Sequence, residues 1–118
     1  MSERLLVIGA GLAGCEAALA AAGQGVPVLV REMKPHAYTP AHHSPLMGEL
    51  VCSNSLRSDD PTSAVGLLKL EMSLLGSAVM RAARATAVGA GKALAVDRQA
   101  SPPGWTAQCA ATRLSPWR

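Results

Sequence analysis

The chain has 118 residues, of which 49% are hydrophobic and 16% are charged, and its formal net charge is +3. This length allows at most one small domain, and the slight positive excess permits an anionic partner without requiring one. No apolar run reaches the ~18 residues that a membrane span needs, and Met1 to Arg4 lead directly into an apolar strand rather than a signal segment. The cysteines Cys15, Cys52 and Cys109 are odd in number and widely spaced, which argues against a disulfide framework or a zinc site. These features predict a cytosolic protein with no membrane partner.

The first 32 residues have the order of a βαβ unit. Residues 4–8 predict a buried parallel strand, residues 13–22 a helix, and residues 26–32 a second strand. A glycine-rich turn over residues 9–14 joins the first strand to the helix, and an acidic residue, Glu32, ends the second strand. Together these parts form the dinucleotide-binding fingerprint of an α/β, Rossmann-like fold.

Each part of this fingerprint has a separate physical role. Gly9 allows a sharp turn, Gly11 lets a pyrophosphate approach the backbone, and Gly14 lets the helix pack closely on the sheet. The free amides and positive dipole end of the helix face the phosphates. Glu32 accepts hydrogen bonds from ribose hydroxyls and repels a 2′-phosphate, which favours FAD or NAD over NADP. The predicted cofactor-binding residues are Gly9, Ala10, Gly11, Leu12, Ala13, Gly14 and Glu32.

Residues 33–60 contain all three histidines and three prolines without clear periodicity, and we expect a long loop. Within it, Cys52 is followed by two serines, an asparagine and Arg57, and a nearby cation favours a reactive thiolate. Cys52 is therefore the candidate catalytic residue, and an unreactive buried loop cysteine is the open alternative. Cys15 is expected to fill a small packing site. The histidines lack acidic or cysteine partners at a recognised spacing, so we predict no metal site.

A helix is predicted to begin after Asp60, with Asp60 as N-cap and Pro61 in the first position. Apolar residues then recur at three- and four-residue steps, which predicts one long amphipathic helix to about Ala85. Additional leucines widen its apolar surface, so this helix is either buried on two sides or lacks a partner. Its charged residues Lys69 and Glu71 are expected at the surface.

Residues 93–96 predict a further strand, and the character of the sequence changes after Arg98. Residues 99–118 have no periodicity and contain both tryptophans and three of the eight prolines. We therefore predict the N-terminal portion of a Rossmann-type domain over residues 1–98 and an irregular tail over residues 99–118. A shifted reading frame past codon 98 is the hypothesis for that tail.

Residues 9–18 resemble two related FAD-containing tRNA-modifying families. One comprises the folate-dependent tRNA uracil-5 methyltransferases, TrmFO, and the other comprises the wobble-uridine enzymes, MnmG. MnmG-type chains carry Asn-Pro after their cysteine, whereas this chain continues with Ser53. The resemblance covers residues 1–98. The segments that resemble TrmFO specifically are residues 32–35, 39–42, 49–61 and 64–69.

The TrmFO resemblance implies methylation of the T-loop uridine of tRNA at carbon 5. It implies methylenetetrahydrofolate as the one-carbon donor, FAD as cofactor and NAD(P)H as reductant of the flavin. It also implies that the glycine turn and Glu32 hold the ADP half of FAD, and that Cys52 corresponds to a functional cysteine near the flavin. Members of the family are several times longer and carry a second important cysteine far downstream, so we expect the 118-residue chain to show no turnover alone.

Other functions stay open at this point. Residues 9–32 alone would suit a generic FAD- or NAD-dependent oxidoreductase fragment or an MnmG-like enzyme. The third hypothesis is a non-catalytic nucleotide-binding remnant, or a chain with no stable fold at all, since a parallel sheet with few strands leaves exposed edges. The resemblance implies tRNA as the partner of the full-length family member, and the sequence indicates no oligomeric state.

Overall fold

The computed structural model describes residues 3–51 and 53–97. Cys52, Cys109 and the predicted tail over residues 99–118 lie outside these residues. The elements in chain order are β1 (Leu5–Ile8), α1 (Leu12–Gly23), β2 (Val28–Arg31), β3 (Ser55–Ser58), α2 (Ala64–Leu74), α3 (Ala78–Ala85), β4 (Ala87–Val88) and β5 (Ala93–Val96).

β1, α1 and β2 form the predicted βαβ unit. β1 and β2 are parallel, with Leu5 opposite Val28 and Ile8 opposite Arg31. Their ladder continues past β1, where the Gly9 amide donates to the Arg31 carbonyl at 2.7 Å. α1 packs on one face of this pair because its small residues allow a close approach. The buried cluster between them consists of Ala10, Cys15, Ala18 and Val30. The prediction of an α/β, Rossmann-like fold is confirmed, and the bounds of these three elements lie within two residues of those predicted.

The prediction that β1 is a buried strand is wrong. Ile8 is 78% exposed, and Leu5 and Leu6 are also exposed. Among the described residues β1 pairs with β2 alone, and α1 covers only the face to which Val7 belongs. The described residues therefore bury only part of the apolar surface of β1.

β3, β5 and β4 form a second, antiparallel sheet in that order. β5 confirms the strand predicted at residues 93–96, whereas β3 lies inside the segment predicted as a loop, and β4 was not predicted. β3 contains a single apolar residue, Leu56, so no local pattern marks it as a strand. Its pairing with β5 decides its conformation instead, because strand formation depends on cross-strand partners more than on intrinsic preference.

The predicted long helix is two helices, and it begins later than predicted. Ser63 is the N-cap of α2, and its side chain accepts a hydrogen bond from the Gly66 amide at 3.1 Å. Asp60 instead accepts from the Thr62 amide at 2.9 Å and forms a turn before the helix. A Cβ on Gly66 would lie 1.8 Å from the Asp60 carbonyl oxygen, so this turn packs directly on the first turn of α2.

α2 ends at a Schellman motif around Gly76, whose φ is +80°. The Gly76 amide donates to the Ser73 carbonyl at 3.1 Å, and the Ser77 amide donates to the Met72 carbonyl at 3.0 Å. Ser77 then caps α3 by accepting from the Met80 amide at 3.0 Å. The continuous apolar periodicity of the sequence hides this break.

One face of α2 carries apolar side chains that no described residue covers. The sequence left two alternatives for this helix, burial on two sides or a missing partner. Within residues 3–97 the structure agrees with the missing partner. Lys69 contradicts its predicted surface position: it is buried, and its Nζ donates to the Ser58 carbonyl at 2.9 Å. Glu71 is exposed as predicted. The exposed leucines are Leu67, Leu68, Leu70 and Leu74 within α2 and Leu75 at its C-cap.

Candidate dinucleotide site

The glycine turn has the geometry that its spacing predicts. Gly9 has a φ of +93°, a left-handed conformation that favours glycine. A Cβ on Gly14 would lie 1.9 Å from the Gly9 carbonyl oxygen, so only glycine allows α1 to start this close to β1. A Cβ on Gly11 would meet nothing within 4 Å. The backbone at Gly11 therefore borders open space that a ligand could enter.

The N-terminus of α1 offers free backbone donors at this turn. Gly11 is the N-cap, with φ −73° and ψ −169°, and no side chain caps the helix. The first hydrogen bond of the helix runs from the Cys15 amide to the Gly11 carbonyl at 3.0 Å. The amides of Leu12, Ala13 and Gly14 precede that bond, as the first amides of any α-helix do. Such amides, together with the helix dipole, suit a phosphate group.

The carboxylate of Glu32 lies against the same turn. Its Oε2 accepts from the Ala10 amide at 2.6 Å, and its Oε1 accepts from the Lys34 amide at 2.9 Å. Burial by itself would raise the pKa of Glu32, but the Lys34 and Ala10 amides and the Lys34 charge outweigh it and lower the pKa. An ionised carboxylate oxygen has a second acceptor site, so each oxygen can also accept from a ribose hydroxyl.

Lys34 and Glu49 form a buried ion pair next to Glu32, which the sequence reasoning missed. The Lys34 side chain is 2% exposed, and its Nζ lies 3.1 Å from Glu49 Oε2. Glu49 Oε1 accepts from the His43 amide at 2.8 Å and the Ser44 amide at 3.0 Å. Burial would raise the pKa of Glu49, yet the His43 amide and the Lys34 ammonium outweigh it and lower the pKa. No periodic pattern connects these residues, because both lie in irregular backbone.

The segment around Glu49 also contacts the glycine turn directly. The Gly48 amide donates to the Ala10 carbonyl at 2.8 Å, and Gly48 has a φ of +67°. Met47 packs against the buried cluster beneath α1. Part of the predicted loop over residues 33–60 is thus fixed against the βαβ unit.

The structure brings together the predicted cofactor residues 9–14 and Glu32 and leaves the predicted thiol undescribed. Cys52 lies outside the described residues. Arg57, which was predicted to lie near Cys52, is exposed and has a φ of +66°. Cys15 is buried, as predicted, and its Sγ lies 3.4 Å from the Ala10 carbonyl oxygen. His42 Nδ1 lies 2.6 Å from Thr39 Oγ1.

Within residues 3–51 and 53–97, no group of three His, Cys, Asp or Glu side chains lies close enough to hold a metal ion. No helix in the part of the chain that the structure describes is long and apolar enough to cross a membrane.

The parallel βαβ unit, the glycine turn and the acidic residue define a dinucleotide-binding protein of the Rossmann-like class. The family model described as glucose inhibited division protein A matches residues 4–113, which is most of the chain. The chain therefore belongs to the glucose inhibited division protein A family.

Several proteins similar to this chain bear the name methylenetetrahydrofolate–tRNA-(uracil-5-)-methyltransferase TrmFO. The protein from Desulfotalea psychrophila is 62% identical over 96 residues, which cover 81% of this chain and 22% of that protein. The protein from Geotalea uraniireducens is 63% identical over 98 residues, which cover 83% of this chain and 22% of that protein. The protein from Nitratidesulfovibrio vulgaris strain Hildenborough is 70% identical over 92 residues, which cover 78% of this chain and 19% of that protein. The resemblance to TrmFO is confirmed, and the chain spans about a fifth of the length of these relatives.

Proposed function

We propose that this chain belongs to a methylenetetrahydrofolate- and FAD-dependent methyltransferase that modifies the T-loop uridine of tRNA at carbon 5. The observation that carries this proposal is the identity of 62–70% to relatives that bear the name of this activity. The part of the chain that the structure describes would bind the ADP half of the FAD. The tRNA partner, the NAD(P)H co-substrate and a cytoplasmic location belong to the same proposal.

The fit to FAD is supported by the glycine turn. The pyrophosphate would lie at the open space beside Gly11, facing the first amides of α1. The ribose hydroxyls of the adenosine would donate to Glu32, whose lowered pKa favours the ionised, hydrogen-bond-accepting form. A 2′-phosphate would meet this negative charge, so the site favours a dinucleotide without one. When bound, FAD supplies the redox chemistry that converts the one-carbon unit to a methyl group.

Cys52 is the proposed catalytic residue of this chain, on the basis of its resemblance to the TrmFO cysteine. Carbon 5 of uracil is a poor nucleophile, and a thiolate that adds at carbon 6 makes carbon 5 reactive toward a one-carbon electrophile. In the sequence Cys52 follows the segment at residues 46–49, in which the Gly48 amide donates to the Ala10 carbonyl of the glycine turn at 2.8 Å.

Replacement of Cys52 in the full-length protein tests this proposal. We expect Cys52→Ala to abolish methylation of T-loop uridine, measured with unmodified tRNA and methylenetetrahydrofolate, while the purified protein retains its flavin absorbance. Ser53→Ala, a change at the adjacent exposed residue, should retain both. Full methylation by the Cys52 variant would refute the assigned role.

A generic FAD- or NAD-dependent oxidoreductase is the second candidate, because residues 9–32 account for its cofactor site without any contribution from Cys52. Assays of the full-length wild-type protein distinguish this candidate from the methyltransferase. Reduction of the flavin by NADH or NADPH, with no methylation of tRNA by the wild-type protein, would favour this alternative.

A further inference from the structure

Lys34 connects the end of β2 to the segment at residues 46–49. Its backbone amide donates to Glu32 Oε1 at 2.9 Å. Its side-chain Nζ donates to the Leu46 carbonyl at 2.6 Å and lies 3.1 Å from Glu49 Oε2. One residue therefore contacts the ribose-binding candidate through its backbone and a separate loop through its side chain.

The loop held by Lys34 returns to the glycine turn. The Gly48 amide donates to the Ala10 carbonyl at 2.8 Å, and the Ala10 amide donates to Glu32 Oε2 at 2.6 Å. The hydrogen bonds thus form a closed circuit from Glu32 through Lys34, residues 46–49 and Ala10 back to Glu32. The Ala10 and Lys34 amides that donate to the Glu32 carboxylate thus belong to residues that contact the segment at residues 46–49.

The centre of this circuit is a buried ammonium group, which costs free energy unless its partners are well placed. Placing an ammonium group in a site where its side chain is 2% exposed has a large desolvation cost, and an apolar residue of similar size often packs as well or better. A buried cation is instead suited to setting one defined geometry, since its donors must meet the Leu46 carbonyl and the Glu49 carboxylate together.

We propose that Lys34 is a positioning residue that holds the Glu32 carboxylate in the orientation required to bind the ribose hydroxyls of a dinucleotide. This inference rests on the proposed FAD binding and deepens it. Lys34 touches neither the ribose nor the phosphates in this scheme, and it acts through its own amide and through residues 46–49.

The test combines substitution of Lys34 with removal of one ribose hydroxyl from the ligand, as in a double-mutant cycle, and uses the full-length protein freed of flavin. Binding of FAD is compared with binding of the FAD analogue that carries 2′-deoxyadenosine, for the wild type and for Lys34→Met. In the wild type, loss of the hydroxyl should weaken binding roughly tenfold or more, because it removes a hydrogen bond to a charged acceptor. The ratio of the two dissociation constants, that of the deoxy analogue over that of FAD, should fall in Lys34→Met to roughly twofold or less, since a misoriented carboxylate no longer recognises the hydroxyl.

Matched variants separate positioning from general destabilisation. Lys92→Met removes an exposed lysine and should leave the ratio unchanged. Lys34→Arg should restore most of the ratio, because a guanidinium can still donate to Leu46 and Glu49. Glu49→Gln, which removes the charge and keeps the size of the side chain, should lower the ratio as Lys34→Met does, and it serves as the test if Lys34→Met fails to fold.

The outcomes distinguish this inference from the function on which it rests. A wild-type protein that discriminates between the two ligands and a Lys34→Met protein that discriminates equally well would overturn the positioning role alone. Equal weakening of both ligands by Lys34→Met would also overturn it, since that pattern belongs to loss of structure. A wild type that binds neither ligand, or binds both equally, would overturn the proposed ribose site and this inference with it.

Discussion

Gly11 and Gly14 lie three residues apart in the glycine turn but have different surroundings. A Cβ at Gly14 would lie 1.9 Å from the Gly9 carbonyl oxygen, whereas a Cβ at Gly11 would meet nothing within 4 Å. Gly14 therefore serves the packing of α1 on β1, and Gly11 leaves room for a ligand. Their substitutions separate folding from binding.

We expect Gly14→Ala to lower the free energy of unfolding by about 1–3 kcal/mol or more, because backbone atoms cannot move aside as side chains can. Gly11→Ala should lower the free energy of unfolding by about 1 kcal/mol or less, because alanine is a poorer N-cap than glycine but its Cβ would meet nothing within 4 Å. The same Gly11 variant should weaken FAD binding at least tenfold, because the methyl group occupies the space proposed for the pyrophosphate. Urea unfolding and flavin titration of both variants test this contrast, and identical behaviour of the two would contradict it.

Glu49 provides a pH-dependent contribution to stability. Its pKa in the folded protein lies below the ordinary value of 4.5, so the folded state favours the ionised form. Its contribution is therefore complete above about pH 4.5 and is lost as pH falls through the lowered pKa of the folded state.

In urea unfolding from pH 7 to pH 3, we expect Glu49→Gln to be less stable than the wild type by about 1–3 kcal/mol at pH 7. The difference should shrink below pH 4.5, because the carboxyl of the unfolded chain becomes protonated there, and it should be smallest once the pH falls below the lowered pKa of the folded state. Glu32 and Asp59 also have lowered pKa values, so the variant retains part of the acid sensitivity. A difference that stays constant across this pH range would contradict the assignment of Glu49.

At the scale of elements, α1 and α3 are joined by a carboxylate rather than by apolar packing alone. Glu16 on α1 accepts hydrogen bonds from the Ala78 amide at 2.9 Å and the Val79 amide at 3.0 Å. It also accepts from the Ser77 hydroxyl. The first turn of α3 is thus capped both by Ser77 and by a residue sixty-one positions earlier in the chain.

Glu16→Ala should lower the free energy of unfolding by about 1–3 kcal/mol, because it leaves amides of α3 without acceptors and removes a negative charge from a helix N-terminus. Glu71→Ala on the exposed side of α2 is the matched control, and its effect should stay within about 0.5 kcal/mol. Thermal or urea unfolding measures both variants. Equal effects of the two substitutions would show that the cap contributes nothing.

The helices and strands differ in how far their own residues determine them. α1 was predictable because high-propensity residues lie between glycines that start and stop it. The break at Gly76 has a local signal, a glycine followed by a serine N-cap, but the apolar periodicity continues across it. β3 has no such signal, because its pairing with β5 about forty residues later determines it.

At the scale of the whole molecule, some residues of the candidate site were predictable from the sequence and others were not. The glycine turn and Glu32 were predictable because their roles depend on spacing within one βαβ unit. The Lys34–Glu49 pair was not, since a contact between two irregular segments leaves no periodic pattern. Lys69 was also placed wrongly, because the sequence does not reveal that the Ser58 carbonyl lies beside α2.

The exposed apolar surfaces of α2 and β1 bear on the activity of the chain by itself. The described residues leave Leu74 79% and Ile8 78% exposed, and the chain spans about a fifth of the length of its relatives. We expect the 118-residue chain, assayed alone, to produce no methylated tRNA. Methylation above the background of a reaction without protein would contradict this expectation.

The tail at residues 99–118 stays a prediction, which translation of the alternative reading frames past codon 98 would test.

The central claim is that this chain is part of a folate- and FAD-dependent methyltransferase that acts on the T-loop uridine. The most direct measurement incubates the full-length protein with unmodified tRNA, NAD(P)H and methylenetetrahydrofolate labelled in its methylene carbon, followed by mass spectrometry of the tRNA fragments. The account predicts labelled 5-methyluridine in the T-loop fragment. Absence of the label there, or its appearance at the wobble uridine instead, would contradict the account.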